Sequence, residues 1–468
     1  MSLKILLTHG YFLNEDEKEK EIMKPYPPLG ILYISAHLEK HGFYNEVYDS
    51  TFSSFENLCA HLLANAPDLV GIYTNLMTKI NVLKIIRFIK STPQLKHTQV
   101  VLGGPEVRNH LQNFLLHGAD IIVVGEGEES MLEVATHLNT ANSKDEWNNI
   151  QGIAFLDSTG KLIQTKPRNL LRNIDELPFP NRKKINLQKY FDAWKSKHPQ
   201  SAISVSTMRG CPYTCNWCSR AVYGQSYRRR SPKLVVDEME FIQKNYQVDT
   251  IWFVDDVFTV SHKWLEEFKD EVVKRKLNFP FECITRADRL NEEVLQLLKQ
   301  SGCFRVWIGA ESGSQKVIDA MDRRVTVEQV RTMIQLAKKF QIQTGTFIML
   351  GYPGETEADI EETIHHLKVA DPDLYTITVA YPIKGTPLYA EVESRFVKKL
   401  NWESSTDRDI DFTRTYRRKY YDYALRRLYN EVAFYKEKSR GASAPKLLLH
   451  KAKSLFSKAA MRWHRALS

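Results

Sequence analysis

The sequence predicts an α/β protein in which two parallel-sheet domains are followed by a helical, basic C-terminal region. Three observations predict it. Short apolar strands alternate with amphipathic stretches over residues 1–140, and the same alternation resumes over 201–395; parallel sheets with helical crossovers have this signature. Residues 141–200 break the rhythm and read as a connector. Residues 396–468 are helix-prone, aromatic and rich in Lys and Arg.

In the first domain the strands are Lys4–Thr8, Leu69–Tyr73, Val100–Leu102 and Ile121–Val124, with helical segments near 30–41, 79–91 and 107–117. Ligands of such sheets sit beyond the carboxyl ends of the strands. Those ends are glycine-rich here, in Leu102-Gly103-Gly104-Pro105-Glu106 and Val124-Gly125-Glu126-Gly127-Glu128. Glycine lets a backbone approach a bulky ligand, although any domain of this kind has tight turns. The connector holds a hairpin, Gly152–Asp157 with Lys161–Ile163, and then the proline-stiffened run Asp175–Asn181, read as a spacer.

The second domain has six candidate strands, 202–206, 250–255, 281–285, 304–309, 344–350 and 375–381, with helices at 233–246, 262–276, 291–301, 326–340 and 357–370. Six strands alternating with helices suggest a six-stranded partial β/α barrel, whose catalytic residues collect at the C-terminal ends of the strands.

Composition bounds the setting. The 468 residues include six cysteines, of which Cys59, Cys283 and Cys303 are scattered, poor material for a disulfide framework. The N-terminus lacks the apolar core and cleavage site of a signal peptide, and no run approaches the ~20 apolar residues that span a bilayer. A cytoplasmic location is the expectation. The net charge of +9 is concentrated at one end: Arg414–Ser468 holds 15 Lys/Arg against Asp422, Glu431 and Glu437.

The remaining three cysteines, Cys211, Cys215 and Cys218, form a C-x3-C-x2-C motif directly after the first strand of the second domain. Thiolates suit iron–sulfur clusters, and three of them leave a cubane one ligand short. A structural zinc site is the alternative, but zinc usually takes two separated Cys/His pairs, and no second pair is evident.

This spacing resembles the radical SAM enzymes, in which S-adenosylmethionine completes the coordination of the fourth iron. The resemblance extends through six motifs in order over nearly 190 residues. Trp217, an aromatic before the last cysteine, would lie near the adenine. Asp255 and Asp256, in the strand-end run Trp252-Phe-Val-Asp-Asp-Val-Phe-Thr259, would face the methionine amino group. Arg286 in Thr285-Arg-Ala-Asp288 would pair with the methionine carboxylate; a salt bridge to Asp288 is its other reading. Glu311 and Ser312, in Gly309-Ala-Glu-Ser312, would contact the ribose or the sulfonium side. Leu350-Gly-Tyr-Pro-Gly-Glu355 and Tyr381-Pro-Ile-Lys-Gly-Thr-Pro387 resemble the family's GxPGET and PxxGTP turns. The sequence names no catalytic acid or base.

The first domain, through residues 25–42 and its two glycine loops, resembles the cobalamin-binding domain that precedes many radical SAM cores. The resemblance implies a Rossmann-like fold with cobalamin at Gly103, Gly104, Gly125, Glu126 and Gly127. No D-x-H-x-x-G loop is present, so the implied cobalamin is base-off with no protein histidine beneath the metal; a degenerate domain without cofactor is the alternative. The whole implies an iron–sulfur cluster, S-adenosylmethionine and cobalamin as cofactors, a reductant such as flavodoxin or ferredoxin, and C-methylation of an unactivated carbon through a 5′-deoxyadenosyl radical.

Two other functions stay open. Tyr227-Arg-Arg-Arg-Ser-Pro232 resembles a subgroup that includes the anaerobic oxidative cyclase of bacteriochlorophyll synthesis, which favours cyclisation or rearrangement without methyl transfer. A non-catalytic cofactor sensor with a membrane- or nucleic-acid-binding tail is the reading from another class. In the tail, Leu448, Ala452, Leu455, Phe456 and Ala459 share a helical face and basic residues fill much of the rest. Such a helix either lies on the inner membrane surface, giving weight to a lipid-like substrate over a polar one, or docks its apolar face on the barrel. Nucleic acid is disfavoured, since no RNA-binding module accompanies the charge.

Overall fold

Most of the apolar runs become strands in the computed structural model of the chain, which describes residues 3–140 and 144–466. The expected boundary after residue 140 meets residues 141–143, which lie outside the described ones. The first sheet comprises β1 (Ile5–His9), β2 (Asn45–Val47), β3 (Leu69–Tyr73), β4 (Gln99–Gly103), β5 (Ile121–Val123), β6 (Ile153–Leu156) and β7 (Leu162–Gln164), in the order β2-β1-β3-β4-β5-β6-β7. Pairing is parallel from β2 to β5 and antiparallel at β6 and β7, so the hairpin expected in the connector extends this sheet.

Alternate residues of these strands supply two cores. Leu6, Val70, Ile72, Val100 and Leu102 pack with helices Phe55–Asn65 and Lys79–Ser91 on one face. Ile5, Leu7, Leu69, Val101 and Ile121 pack with helices Leu29–Lys40 and Glu128–Asn139 on the other. A parallel sheet buried on both faces has this continuous apolar content. Strand order reverses between β1 and β3, where ligands of open α/β sheets bind beyond the carboxyl ends.

The second sheet comprises β8 (Ala202–Val205), β11 (Thr250–Phe253), β12 (Phe281–Thr285), β13 (Cys303–Glu311), β14 (Gln343–Leu350) and β15 (Leu374–Val379). Its order is β15-β14-β13-β12-β11-β8, sequential as in an open β/α barrel, and β12 to β15 pair in parallel. A short ribbon of β9 (Met208–Arg209) and β10 (Arg228–Arg229) flanks the cysteine loop in sequence. Capping boxes at Thr326/Gln329 and Thr356/Asp359 start two of the crossover helices.

The chain divides into two compact units. One holds Met1–Pro212, Ser219–Ile251 and Asn401–Thr406; the other holds Tyr213–Cys218, Trp252–Leu400 and Asp407–Ser468. Residues 401–406, expected in the C-terminal region, therefore join the first unit. There the Trp402 ring meets Phe114 edge-on at 4.8 Å, and the buried Lys79 ammonium lies 4.9 Å from its centroid.

The tail forms two helices, Arg418–Ser439 and Ala444–Ala466, packed on each other. Glu431 on the first accepts from Ser454 and Lys451 on the second and from Lys368. The second helix turns Ser454, Ser457 and Met461 inward, not the apolar stripe. Among the described residues no helix is long and apolar enough to cross a membrane.

Candidate functional site

In the first unit the glycine loops emerge at the carboxyl ends of β4 and β5. Gly104 has φ +108°, and a Cβ there would strike the Thr74 carbonyl, so only glycine lets this loop lie against the end of β3. Gly125 has φ +101°. Gly127 lets the next helix approach Ile34, whose Cδ1 would lie 2.8 Å from an added Cβ. Gly103 is open: only Val123 Cβ, at 4.0 Å, is near. These loops present backbone at the position where a large, flat cofactor would lie, and the residues fit one. His9, ending β1, is committed elsewhere: its Nε2 lies 3.1 Å from Asp49 and its Nδ1 accepts from the Tyr11 N–H.

Glu126 has a role that its place in a glycine turn did not suggest. Its carboxylate takes Arg209 at 2.9 Å, Arg228 at 2.8 Å and the Leu171 N–H at 2.9 Å. Arg209 also grips Glu128 with both terminal nitrogens. Burial raises the Glu128 carboxyl, but the Arg209 guanidinium overrides this and holds it below the usual carboxylate range. The arginine lies between the rings of Tyr33 and Tyr223, at 5.6 and 5.4 Å. The Gly125-Glu126-Gly127-Glu128 turn is thus tied to the residue two before Cys211, with all partners in one unit. Arg230 makes a parallel cluster: with Arg182 it encloses the buried Glu238 at 2.5 and 2.7 Å. The run of basic residues at 228–230 is therefore partly spent on internal carboxylates.

In the second unit two guanidinium groups converge on one cysteine. Arg286 Nη1 is 3.8 Å from Cys215 Sγ, and Arg323 Nη1 is 3.6 Å from it. Donors to a cluster ligand stabilise the reduced, more negative cluster and so tune its potential. Arg286 is 1% exposed; it pairs with Asp288 at 2.8 Å, donates to the Arg323 carbonyl at 2.7 Å and covers the Tyr213 ring at 3.9 Å. Its salt bridge to Asp288 is the second of the two readings given to it above.

Arg323 was not singled out from the sequence, where it is one basic residue in Asp322-Arg-Arg-Val325. It reaches the Gly309 carbonyl at 3.1 Å and Glu311 Oε1 at 3.9 Å, and lies 5.9 Å from the Trp217 ring centroid. It therefore links the cysteine loop to the end of β13. Trp217 packs beside Val317, Met321 and Tyr352.

Glu311 ends β13 in the left-handed region, φ +64°, where the register with β14 shifts. A bulge re-aims side chains, and a non-glycine residue in this conformation is held by its surroundings at a cost typical of functional sites. Burial raises its carboxyl, against the lowering pull of Arg323 and Arg286. Ser312 faces inward: its hydroxyl lies 3.2 Å from Thr363 Oγ1 and accepts from the Ser314 N–H. It shapes the turn. At the end of β11 Asp255 is buried and Asp256 reaches solvent. The surrounding protein and then the Asp255 charge raise the Asp256 carboxyl.

Cys215 and Cys218 lie in the second unit and Cys211 at the edge of the first; the Cys218 N–H donates to the Cys215 carbonyl at 3.2 Å, a tight turn within the motif. Among the described residues no three His, Cys, Asp or Glu side chains converge closely enough for a single metal ion. Within the second unit, Cys215 with its two arginine donors and Cys218 are thiols of the kind that an iron–sulfur cluster takes, each on its own iron corner.

Comparison with known proteins gives the same two parts. Residues 205–367 match the Radical SAM superfamily and residues 21–135 match the B12 binding domain. An uncharacterized methyltransferase of Pyrococcus horikoshii is 28% identical over 391 residues, 82% of each chain. The anaerobic magnesium-protoporphyrin IX monomethyl ester cyclase of Rubrivivax gelatinosus is 27% identical over 401 residues, 83% of this chain and 70% of that protein. Among solved structures, the radical S-adenosylmethionine methyltransferase TsrM from Kitasatospora setae, with cobalamin and a 4Fe-4S cluster bound, matches with TM-score 0.70 at 20% identity. That match spans 84% of this chain and 78% of the other, and at this identity the likeness is one of fold.

Proposed function

Taking as premise that this chain is a radical SAM protein with a B12-binding domain, we propose that it is a cobalamin-dependent C-methyltransferase acting on an unactivated carbon. The observation that carries the reading is the union, in one chain, of the three-cysteine loop with the glycine-edged sheet end that fits a corrin. When bound, cluster, S-adenosylmethionine and cobalamin supply the electron, the 5′-deoxyadenosyl radical and the methyl group.

The chain's own residues hold and orient these groups. Cys211, Cys215 and Cys218 ligate iron, and Arg286 with Arg323 donates to Cys215. Asp255, Asp256 and Glu311 face S-adenosylmethionine, with Trp217 against the adenine. Ser312 acts through the turn it braces, as a positioning residue. Gly103, Gly104, Gly125 and Gly127 form the edge on which cobalamin lies, and Glu126 fixes that edge through Arg209 and Arg228. The substrate is a small molecule, and the electron comes from a flavodoxin- or ferredoxin-like partner.

Likeness to the magnesium-protoporphyrin cyclase supports a second reading, oxidative cyclisation on the same scaffold. Product mass separates the two, because only methylation adds a CH2 unit. The test of the first reading is the visible spectrum of protein purified without oxygen from cells supplied with cobalamin. Near-stoichiometric base-off cobalamin is the expected result. An intact cluster that takes up no cobalamin, even on reconstitution, overturns the methyltransferase assignment.

A further inference from the structure

The second tail helix, Ala444–Ala466, is docked the wrong way round for a helix held by its apolar face. The side chains it buries are Ser454, Ser457 and Met461, at i, i+3 and i+7. Lys451 and Arg465 secure the same side, at 3.1 Å from Glu431 and 2.8 Å from Glu357. On the opposite side Leu448 is 68% exposed, Leu455 57%, Phe456 66% and Trp463 68%. With Ala452 and Ala459, also exposed, they form one continuous stripe at helical spacing. A monomer leaves such a stripe in water only where something covers it.

The charges say what covers it. Helical geometry puts Arg462 along one border of the stripe and Lys453 along the other, while Lys451 and Lys446 are held by Glu431 and Glu437. Arg462 and Lys453 are exposed, and Ala444–Ala466 contains no Asp or Glu. Long basic side chains on both sides of an apolar face can bury their stems and raise their heads to phosphate level, and Trp463 suits the interface between headgroup and acyl chain. Two copies of the same face would bring only like charges together, which disfavours self-association.

We propose that this face docks on an anionic phospholipid bilayer, holding the protein at the membrane surface. The inference is independent of the reaction the cofactors perform. It is tested with the full chain and extruded vesicles of phosphatidylcholine alone or mixed with phosphatidylglycerol. The expected result is co-sedimentation with the mixed vesicles, weakening as salt rises, and quenching of Trp463 by brominated lipid that is lost in Trp463→Phe. Phe456→Glu/Trp463→Glu should lower partitioning at least about tenfold, since each large side chain withdrawn from the apolar phase counts for about that factor. Its unfolding temperature should not change, because both side chains are exposed. Failure to bind the mixed vesicles at low salt overturns the proposal, as does equal partitioning of the double variant. Equal binding to phosphatidylcholine alone overturns the anionic preference. Concentration-dependent self-association abolished by the double variant, without vesicle binding, assigns the face to a second copy instead.

Discussion

Replacing Arg209 with alanine removes the shared partner of two carboxylates that have little water to turn to. Arg209 donates to Glu126 at 2.9 Å and to Glu128 Oε2 at 3.2 Å, and also bonds Glu128 Oε1. Glu126 keeps its pair with Arg228, so the loss falls on Glu128. Breaking a buried pair by removing one partner costs about 3–5 kcal/mol, to which the lost contacts with Tyr33 and Tyr223 add about 1 kcal/mol. At roughly 2–4 °C per kcal/mol, the combined loss of about 4–6 kcal/mol should lower the melting temperature of the first unit by roughly 8–24 °C. The pH dependence should also reverse. In the native protein Glu128 is held low, so its contribution is present above the ordinary carboxylate range and lost only as pH falls through the lowered value. In the variant burial is no longer offset by the guanidinium but only by the Glu128 backbone N–H and His37, so the carboxyl should rise and stability should decline as pH rises above about 4.5. Urea unfolding of the full chain across about pH 4–8, in a double-mutant cycle with Glu128→Gln, measures both effects. Additive single costs, or a melting shift under about 3 °C, would refute the claim that this pair acts as a unit.

Other predictions concern the second unit. Burial pushes the Glu355 carboxyl up to about 8, against the lowering effect of the Gly351 N–H that donates to it; this group stabilises the fold below about pH 4.5 and loses that contribution as pH rises through about 8. Glu355→Gln should flatten the stability–pH curve over that window, as followed by thermal denaturation. Glu311→Gly relieves the left-handed strain, so stability should change by no more than about 1 kcal/mol, while S-adenosylmethionine affinity measured by calorimetry should fall at least about tenfold. Gly345→Ala would press a Cβ into the Trp307 ring, which stacks on Phe347 at 5.1 Å; a loss of about 1–3 kcal/mol is expected in denaturant melts, with a changed tryptophan emission.

The strands that the sequence made legible are those buried on both faces. β3, β12 and β14 lie within a residue of their expected spans; in β3 the near-continuous apolar run Leu69-Val-Gly-Ile-Tyr73 leaves little choice of boundary. β2, only Asn45–Val47, is too short and polar to register as a strand, and helix Glu128–Asn139 was hidden behind the acidic turn that precedes it. The three-cysteine motif stood out because three thiols at fixed spacing have few other uses. Arg323 was not, because its role arises from a left-handed turn at Asp322 and Arg324 that returns the chain to Cys215. Arg286 stood out as an arginine at a strand end, but the sequence could not show that its donors reach Cys215 as well as Asp288. The tail shows the limit of periodicity, which found the apolar stripe of Ala444–Ala466 yet could not say which side of the helix is docked.

The partition of the chain carries a consequence for how such a protein can be inherited. The backbone changes unit after residues 212, 218, 251, 400 and 406. No single cut yields two intact modules, and a chain ending before residue 401 would lose Trp402 from its place among Phe114, His110 and His117. The corrin-type sheet and the cysteine-bearing barrel are therefore not beads that recombination could exchange at one junction. Variation must accumulate within a single interlaced gene product, with the C-terminal region obliged to evolve alongside the N-terminal sheet it returns to.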